Sequence, residues 1–552
     1  MKRLFTLFVF FLFTVFAILI KLFYIQAFSG DTYSGNYLRT TRIAPVRGII
    51  FDRNKEPLVI NQSSYTLFAE PKNLEDSFNT LKEIDSILNI GEATLEGRFD
   101  KSKDWVALAR NLEEDQKKKL EKLNIHGLGF DEYSKRYYPE ASIAAHLVGF
   151  VGKDEDGDDI GYFGVEGYYD KDLQGLPGLL KTERDILGRP IVIGTQNKLK
   201  GENGRDFVLT IDKRTQKMAK EAIEKAIEVY KAQSGCITII EPNTGEILAM
   251  DCAPDFDPSE YFKFNESFFK NPVISDVFEP GSIIKPLWVA AALNEQKIKS
   301  YDMYDEKGPI NIGKYYIRTW DNKYHGDISI TQILQQSSNV GMVFVGDKLG
   351  EENIKKYLKA YGFGEKTNID LQGEVSSYLR KDSQWRPIDF ATVTFGQGIV
   401  VTQIQMLKAF SVLVNGGWVV EPHVVKEMVS ESGDAKKIAP KKEKRILTEK
   451  TSRTIRQMLY ETVNHGEAKW NIPKGYKIGG KTGTAQIAIQ GAYDASKTNA
   501  SFIGFGPVDN PKFLVLVTLN QPQTSPWASE TSAPVFFEVA RDLLVQYNIP
   551  PK

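Results

Sequence analysis

An uncharged apolar run near the N-terminus constrains the fold more than any other feature of the sequence. After Lys2 and Arg3, residues 4–20 carry no charge, and an almost entirely apolar stretch at 22–28 follows Lys21. About 20 apolar residues span a bilayer, where a single segment satisfies its own backbone hydrogen bonds only as a helix. The basic residues before the run predict a cytoplasmic N-terminus and an extracytoplasmic remainder.

A cleaved signal peptide is the alternative interpretation of this run. Its apolar core would be roughly 7–15 residues long and would end at a small-residue cleavage site. Ala27-Phe28-Ser29 could serve as such a site, but the apolar run is too long for a signal peptide. We therefore predict an uncleaved single-span anchor at residues 1–28.

Composition limits the classes of partner and of site. The 552 residues carry a formal net charge of −1, which gives no indication of a nucleic-acid partner. Two cysteines exclude a disulfide scaffold and a cysteine-rich metal site. Cys236 and Cys252 flank a predicted hairpin, where a cross-strand disulfide could form, but we expect two buried thiols. None of the five histidines lies near a second ligand at a metal-like spacing, so we predict no metal and no other cofactor.

The order of predicted elements indicates the fold class. Residues 29–205 combine short strands and charged helices without a catalytic cluster, which predicts a non-catalytic α+β spacer, or pedestal, domain. The elements predicted for the remaining segment, 206–552, are a strand over 208–212, a helix over 213–230, a hairpin over 236–250, a mostly helical stretch over 282–460, strands over 476–489, 501–506 and 512–520, and a helix over 534–547. Strands at both ends with helices between them favour an α/β or α+β structure, in which one mixed sheet is covered by helices.

The segment Pro280-Gly281-Ser282 predicts a helix start that carries chemistry. Ser282 and Lys285 stand three positions apart, so their side chains share one face of the predicted helix. A hydroxyl becomes a nucleophile when a neighbouring base removes its proton, and burial lowers the pKa of a lysine toward that of a usable base. The alternative is that Ser282 is a simple helix cap.

Two further details concern this motif. Ser267-x-x-Lys270 has the same spacing, but no Pro-Gly break precedes it, and we interpret it as a chance match. Pro286 lacks the amide hydrogen that would bond the carbonyl oxygen of Ser282, so we expect a loosened first helical turn around Ser282.

Two other short segments are candidate parts of the same site. Ser337 and Asn339 lie in a predicted tight turn between helices, where a hydroxyl could pass protons and an amide could orient a lysine or a carbonyl. Lys481-Thr482-Gly483-Thr484 is predicted on a strand, where glycine allows close approach and the lysine and threonines suit a carboxylate. The alternative for each segment alone is an ordinary polar turn or a glycine-rich strand.

A phosphate-binding loop is a rival interpretation of the last segment. Residues 475–482 satisfy the pattern G-x-x-x-x-G-K-T. Such a loop needs a buried apolar strand before it and a helix starting at the lysine. Asn471-Ile472-Pro473-Lys474 is not such a strand, and a β-type run follows Thr482, so we reject the nucleotide interpretation.

Taken together, three boxes resemble the motifs of the penicillin-binding proteins and serine β-lactamases. In chain order they are Ser282-x-x-Lys285, Ser337-x-Asn339 and Lys481-Thr482-Gly483. Supporting stretches that look like class B penicillin-binding proteins are residues 47–54, 164–167, 242–250 and 395–399. The surroundings of Ser282 and Ser337 look more like the division-specific branch than the elongation-specific one.

The resemblance implies a plasma-membrane (inner-membrane) enzyme that cross-links peptidoglycan stem peptides and is inhibited by β-lactams. The family implies that Ser282 is the nucleophile, Lys285 the base and Ser337 a proton relay, while Asn339 and Lys481 shape the electrostatic field of the site. It further implies that Thr482, Gly483 and Thr484 form the carboxylate-binding strand. The backbone amides of Ser282 and Thr484 would form the oxyanion hole. It also implies protein partners, namely a membrane glycan polymerase and division or elongation proteins.

Two other functions fit the same boxes. Water instead of an amine as acceptor would make the chain a D,D-carboxypeptidase or a β-lactam-hydrolysing enzyme. A catalytically silent scaffold or β-lactam sensor would share the fold, although the intact boxes argue against it.

Overall fold

The structure is a computed structural model, and it describes residues 2–28, 38–74, 77–155, 157–183, 196–489 and 492–551. The chain divides into two units, of which the smaller comprises Met1–Gly48 and Gln174–Arg205 and the larger comprises Ile49–Leu173 and Asp206–Lys552. The predicted segment boundaries at 28 and 205 stay a prediction. The alternative cleavage site includes Ser29, which lies outside the described residues.

The smaller unit contains the N-terminal apolar helix and a small sheet. The helix covers Lys2–Phe28, and its length and composition are sufficient to cross a membrane, although a signal sequence would pass the same test. The sheet has three antiparallel strands, in the order Leu38–Ile43, Gly178–Glu183 and Gln196–Leu199.

A five-stranded sheet positions the site in the larger unit. Its order is Ile247–Ala253, Ser234–Ile240, Phe513–Asn520, Ala492–Gly506 and Gly479–Ile489, and every neighbouring pair is antiparallel. The predicted strands over 476–489 and 512–520 are confirmed, whereas the strand predicted over 501–506 begins earlier, at Ala492. Gly479–Ile489 lies at one edge of the sheet.

Both faces of this sheet are buried, which explains its nearly continuous apolar strands. Alternate residues of the strand Phe513–Asn520 pack into two different hydrophobic clusters, Val515 and Val517 into one and Leu514 and Leu516 into the other. Strands covered on both sides are apolar throughout instead of alternating with polar residues. The prediction of a sheet covered by helices is confirmed.

The helices cover the two faces of the sheet as the hydrophobic pattern requires. Lys213–Tyr230, which was predicted over these residues, begins at Asp212, whose carboxylate accepts hydrogen bonds from the Arg214 and Thr215 amides. The α-helices of the larger unit that the structure describes are Ser77–Leu88, Glu92–Arg98, Glu114–Glu121, Ala145–Val148, Gly164–Tyr168, Lys213–Tyr230, Pro272–Ser275, Lys285–Asn294, Ile330–Gln335, Asn339–Leu349, Glu351–Ala360, Pro387–Val393, Gln403–Val414, Glu449–His465 and Ser532–Gln546. One more short helix, Asp170–Gln174, spans the sequence position at which the two units are divided.

A second, seven-stranded sheet of the larger unit contains the parallel pairing expected of a mixed sheet. Asp206–Leu209 runs parallel to Ile50–Phe51, and the other pairs are antiparallel. Its strands, in spatial order, are Ala435–Lys437, Val425–Val429, Asp206–Leu209, Ile50–Phe51, Pro57–Ala69 and Val106–Leu112, and Leu128–Tyr137 also pairs with Pro57–Ala69. The two-stranded pairs are Phe150–Lys153 with Asp159–Tyr162, Val277–Phe278 with Val401–Thr402, Met303–Glu306 with Gly326–Ser329, Ile310–Ile312 with Tyr315–Ile317, and Trp418–Val420 with Lys442–Arg445.

The two cysteines form a disulfide, so the expectation of two free thiols was wrong. Cys236 and Cys252 stand directly opposite each other on adjacent antiparallel strands of the five-stranded sheet. Their Cα atoms lie 4.1 Å apart, a separation at which the side chains point to the same face and the sulfurs meet. The hairpin prediction was right, but the exact register that pairs the two residues was not readable from spacing alone.

Candidate active site

Ser282 lies in a tight helical turn, and the α-helix starts three residues after it. Gly281–Ile284 forms a 3-10 turn in which the Lys285 amide donates to the carbonyl oxygen of Ser282. The α-helix then covers Lys285–Asn294, with Pro286 in its first turn. The turn around Ser282 is therefore not α-helical, but it is tightened into a 3-10 turn and not loosened as Pro286 led us to expect.

Two glycines allow the Ser282 turn to pack closely against a neighbouring loop. The Gly281 amide donates to the carbonyl oxygen of Gly396 over 3.1 Å. A Cβ atom at Gly396 would lie 2.1 Å from the Gly281 carbonyl oxygen, a distance that no side chain tolerates. Glu279 strengthens the contact, since its carboxylate accepts a hydrogen bond of 2.9 Å from the Gly398 amide. The loop therefore supports the Ser282 turn through its backbone.

Lys285 is fully buried beneath this turn and holds together two of the three boxes. Its Nζ donates to the carbonyl oxygen of Ser337 over 2.6 Å and to Oδ1 of Asn339 over 2.8 Å, and it lies 3.3 Å from Oγ of Ser337. Burial lowers the pKa of Lys285 well below its usual range, and the nearby charge of Lys481 lowers the pKa further. The carboxylates of Glu467 and Glu306 oppose that shift.

The contacts of Lys285 suit a neutral amine. A carbonyl oxygen only accepts hydrogen bonds, so the Ser337 carbonyl and the Asn339 amide oxygen use both hydrogens of an uncharged amino group. The nitrogen lone pair then remains for a hydroxyl. This arrangement is what a lysine needs in order to take a proton from a serine.

The geometry of the second box, Ser337-x-Asn339, depends on a residue in the left-handed backbone conformation. Ser337 has a φ of 53°, which is uncommon for a residue with a side chain, and this conformation directs its carbonyl oxygen to Lys285. Ser338 caps the following helix by accepting from the Gly341 amide, and its hydroxyl donates to the buried carboxylate of Glu306. The predicted turn between two helices is confirmed.

The third box lies on the edge strand, as predicted. The strand Gly479–Ile489 packs against the Ser282 turn, and Gly483 makes this approach possible. A Cβ atom at Gly483 would lie 2.8 Å from Cγ2 of Ile283 and 2.7 Å from Oγ of Ser501. The rejected nucleotide interpretation needed a helix after Lys481, and the structure has a strand instead.

Lys481 and Thr482 form a hydrogen-bonded chain that ends on an acid. Lys481 is 2% exposed, and its Nζ donates to Oγ1 of Thr482 over 3.0 Å. The Thr482 hydroxyl in turn donates to Oε2 of Glu467 over 2.8 Å. Burial lowers the pKa of Lys481, and the Glu467 carboxylate opposes this shift. Thr484 has a different contact, since its Oγ1 accepts a 3.2 Å hydrogen bond from the Ala528 amide.

The three boxes meet at one cleft of the larger unit. Its walls include Ser282, Ser337, Asn339, Thr482, Thr484 and Glu467. Lys285 and Lys481 are buried beside these residues and reach them through the hydrogen bonds described above. Trp320 and Trp527 also line the cleft and pack edge to face, with ring centroids 5.0 Å apart.

Sequence reasoning missed two acids of this region, Glu467 and Glu306. Neither belongs to a spaced motif, so the sequence contained no signal for them. Ser267 and Lys270 of the second Ser-x-x-Lys match are exposed, and neither lines the cleft that contains Ser282.

Comparison with known proteins decides the family. Residues 235–541 match the penicillin binding protein transpeptidase domain, and residues 42–209 match the penicillin-binding protein dimerisation domain. The chain belongs to the class B penicillin-binding proteins. The resemblance inferred from the three boxes is therefore confirmed.

Relatives of this penicillin-binding protein are known from several bacteria. Stage V sporulation protein D of Bacillus subtilis is 33% identical over 544 residues, which cover 96% of this chain and 84% of that protein. Peptidoglycan D,D-transpeptidase FtsI of Escherichia coli is 30% identical over 533 residues, which cover 95% of this chain and 87% of FtsI. The presence of FtsI proteins among the relatives agrees with the predicted division-type resemblance.

Solved structures confirm the fold of this penicillin-binding protein. Penicillin-binding protein 2X from Streptococcus thermophilus superposes with a TM-score of 0.78, at 24% identity, over 92% of this chain and 80% of its own. Penicillin-binding protein 3 from Mycobacterium tuberculosis, solved in complex with aztreonam, has a TM-score of 0.73 at 24% identity and covers 93% of this chain and 98% of its own.

Proposed function

We propose that this chain cross-links peptidoglycan by serine acyl transfer from a D-Ala-D-Ala donor peptide to an acceptor amine. Relatives named peptidoglycan D,D-transpeptidase support the reaction class. One observation carries the assignment of residues, namely that buried Lys285 is hydrogen-bonded to Ser337 and Asn339 behind the cleft that Ser282 lines.

Acylation begins at Ser282. Its Oγ attacks the carbonyl carbon of the penultimate D-alanine, and the neutral amine of Lys285 accepts the hydroxyl proton. The new C–O bond forms and the C–N bond to the terminal D-alanine breaks. Ser337 donates its hydroxyl proton to the departing amine, so that D-alanine leaves with a neutral amino group. The Lys285 ammonium, 3.3 Å from Oγ of Ser337, replaces that proton and becomes neutral again.

Deacylation reverses these roles. An amine of a second stem peptide attacks the ester carbonyl, loses a proton to Lys285, and forms the cross-linking amide. The proton returns to Oγ of Ser282 as the C–O bond breaks. The backbone amides of Ser282 and Thr484 stabilise the oxyanion in both steps, and each such donor contributes about 3–4 kcal/mol in comparable acyl-transfer enzymes.

The edge strand binds the substrate in this proposal. Lys481 supplies positive charge, and Thr482 and Thr484 supply hydroxyls for the terminal carboxylate. Gly483 lets the strand lie close to the Ser282 turn, so that a substrate backbone at the free edge of the strand comes close to the Ser282 hydroxyl. β-Lactams take the same position and acylate Ser282 in this proposal. Penicillin-binding protein 3, which shares the fold, has been solved in complex with the β-lactam aztreonam.

The same proposal includes the cellular arrangement. The helix Lys2–Phe28 anchors the chain once in the plasma membrane, with Lys2 and Arg3 on the cytoplasmic side and the larger unit outside. A membrane glycan polymerase and division proteins are the proposed partners. Protease treatment of spheroplasts tests the orientation, because only an extracytoplasmic larger unit is degraded while the membrane is intact.

Labelling with a fluorescent penicillin tests the catalytic assignment. We expect labelling of the wild type, no labelling of Ser282→Ala, and unchanged labelling of Ser267→Ala, which is the matched control from the chance motif. Equal labelling of wild type and Ser282→Ala would overturn the assignment. Incubation with a donor stem peptide and an acceptor amine then separates cross-linking from hydrolysis. Both release D-alanine, but cross-linking gives the donor joined to the acceptor amine, whereas hydrolysis gives the free shortened donor peptide.

A further inference from the structure

The single hydroxyl proton of Thr482 is already engaged in a hydrogen bond within the protein. A threonine hydroxyl donates one hydrogen bond, and Thr482 gives that bond to Oε2 of Glu467 over 2.8 Å. Its oxygen at the same time accepts from Nζ of Lys481. In this state Thr482 has no hydrogen to offer to the carboxylate of a substrate.

Glu467 is held in the cleft by the end of a helix. The helix Glu449–His465 ends at Gly466, whose amide donates to the carbonyl oxygen of Thr462. A Cβ atom at Gly466 would lie 2.4 Å from that oxygen and 3.0 Å from the carbonyl oxygen of Gln335, so the turn requires glycine. The turn places Glu467 directly after the helix, with its side chain on the cleft wall.

The charge of Glu467 acts on the whole site. Of the described residues that line the cleft, Glu467 is the one with a carboxylate. Its charge opposes the lowering of the pKa at both Lys285 and Lys481, which shows that it acts on both buried amines. A second carboxylate that entered next to Thr482 would meet this charge at close range, where like charges strongly disfavour each other.

We propose that Glu467 is a specificity-determining residue, which engages the Thr482 proton and so weakens the binding of every carboxylate ligand, the donor peptide included, relative to uncharged acylating ligands. A carboxylate ligand gains the Thr482 proton only when this hydroxyl turns away from Glu467. The enzyme then favours anionic over uncharged acylating ligands less strongly than the same site would without the Glu467 charge. The inference rests on the proposed function, because it concerns the carboxylate-binding strand of the same site.

The test compares an anionic β-lactam with its uncharged form. Second-order acylation rates are measured by mass spectrometry with benzylpenicillin and with benzylpenicillin methyl ester, for wild type, Glu467→Gln, Glu467→Ala and Glu461→Gln. The ratio of the two rates cancels any change in the basicity of Lys285, because both ligands need the same base. Glu461→Gln is the matched control, since it removes one carboxylate from the preceding helix but not from the cleft wall.

We expect the ratio of the acylation rate with benzylpenicillin to that with its methyl ester to rise about tenfold or more in both Glu467 variants, because a like charge at close range is removed. The ratio should stay unchanged in Glu461→Gln. Glu467→Ala is the second variant, so it tests the inference even if Glu467→Gln fails to fold.

A ratio that does not change in the Glu467 variants, or that falls, would overturn the inference. Ser282→Ala separates this failure from a failure of the proposed function. If Ser282→Ala abolishes acylation while the Glu467 ratios stay flat, the inference alone is wrong, whereas acylation that survives Ser282→Ala would remove the proposed function itself.

Discussion

Nζ of Lys285 donates a 2.6 Å hydrogen bond to the backbone carbonyl oxygen of Ser337, 52 positions away along the chain. The bond joins the start of the helix Lys285–Asn294 to the turn that precedes the helix Asn339–Leu349. Because its acceptor belongs to the backbone, the bond depends on the left-handed conformation of Ser337 more than on the Ser337 side chain. The position of the Lys285 amine therefore depends on how the two helices pack against each other.

Replacing Lys285 by arginine should remove the base and keep a cation. Arginine stays protonated at all accessible pH values, so it cannot accept the proton of Ser282. Since a general base typically contributes about 10²–10⁴-fold, we expect the acylation rate with fluorescent penicillin to fall by this range. Circular dichroism controls for folding. Acylation of folded Lys285→Arg at the wild-type rate would rule out the role of Lys285.

A pH profile should reveal the lowered pKa of Lys285. The base acts in its neutral form, so acylation should rise with pH through a pKa well below the usual lysine value and then level off. Asn339→Asp places a carboxylate 2.8 Å from Nζ, where it favours the ammonium form. We expect the rise to move to higher pH and the rate at pH 7 to drop. Stopped-flow acylation from pH 5 to 10 measures both, and coincident profiles would contradict the expectation.

Gly483→Ala should separate the edge strand from the Ser282 turn. The added methyl group would lie 2.8 Å from Cγ2 of Ile283, so either the strand or the turn must shift. A displacement of about 1 Å can cost about 10²-fold in rate, and we expect a loss of acylation of this order. Gly308→Ala is the control, because a Cβ atom there meets no heavy atom within 4 Å. Equal rates for the two variants would refute the close approach.

Loss of the disulfide should destabilise the five-stranded sheet. The bond joins residues 16 positions apart, and closing a loop of about 15 residues stabilises a fold by about 3 kcal/mol in the chain-entropy description. We expect the double variant Cys236→Ser/Cys252→Ser to unfold at a lower urea concentration than the oxidised wild type. Reductant should lower the wild-type midpoint and leave that of the double variant unchanged. A wild-type midpoint that does not respond to reductant would show that the bond does not stabilise the protein.

Local patterns in the sequence were sufficient for many elements. The helix predicted over 213–230 has those bounds in the structure, because an Asp cap and an apolar face at helical spacing lie within the segment itself. The same holds for the edge strand that carries Lys481 and for the turn that carries Ser337. The order of the three boxes identified the family for a similar reason, since each box is a short segment with its own signature.

Other features depended on partners that lie far apart in the chain. The disulfide required the exact register of two strands, and one residue of slip would have separated Cys236 from Cys252. The same sheet has antiparallel pairs throughout, and the order of its strands is not encoded in any one of them. Periodicity describes one element at a time, so it could not supply these pairings.

What the sequence alone determined is thus the anchor-like helix, the type of the main elements and the identity of the three boxes, because short-range propensity and spacing decide those. Tertiary structure decided which groups surround the boxes: the carboxylate of Glu467 on the Thr482 hydroxyl, and the contact of Gly396 with the Ser282 turn. Such contacts join residues from separate elements, and only the packing of those elements brings the atoms within hydrogen-bonding distance. The same packing sets the pKa values of the site's lysines, because burial and nearby charges shift a pKa. Both depend on the folded structure and cannot be read from the order of residues in the sequence.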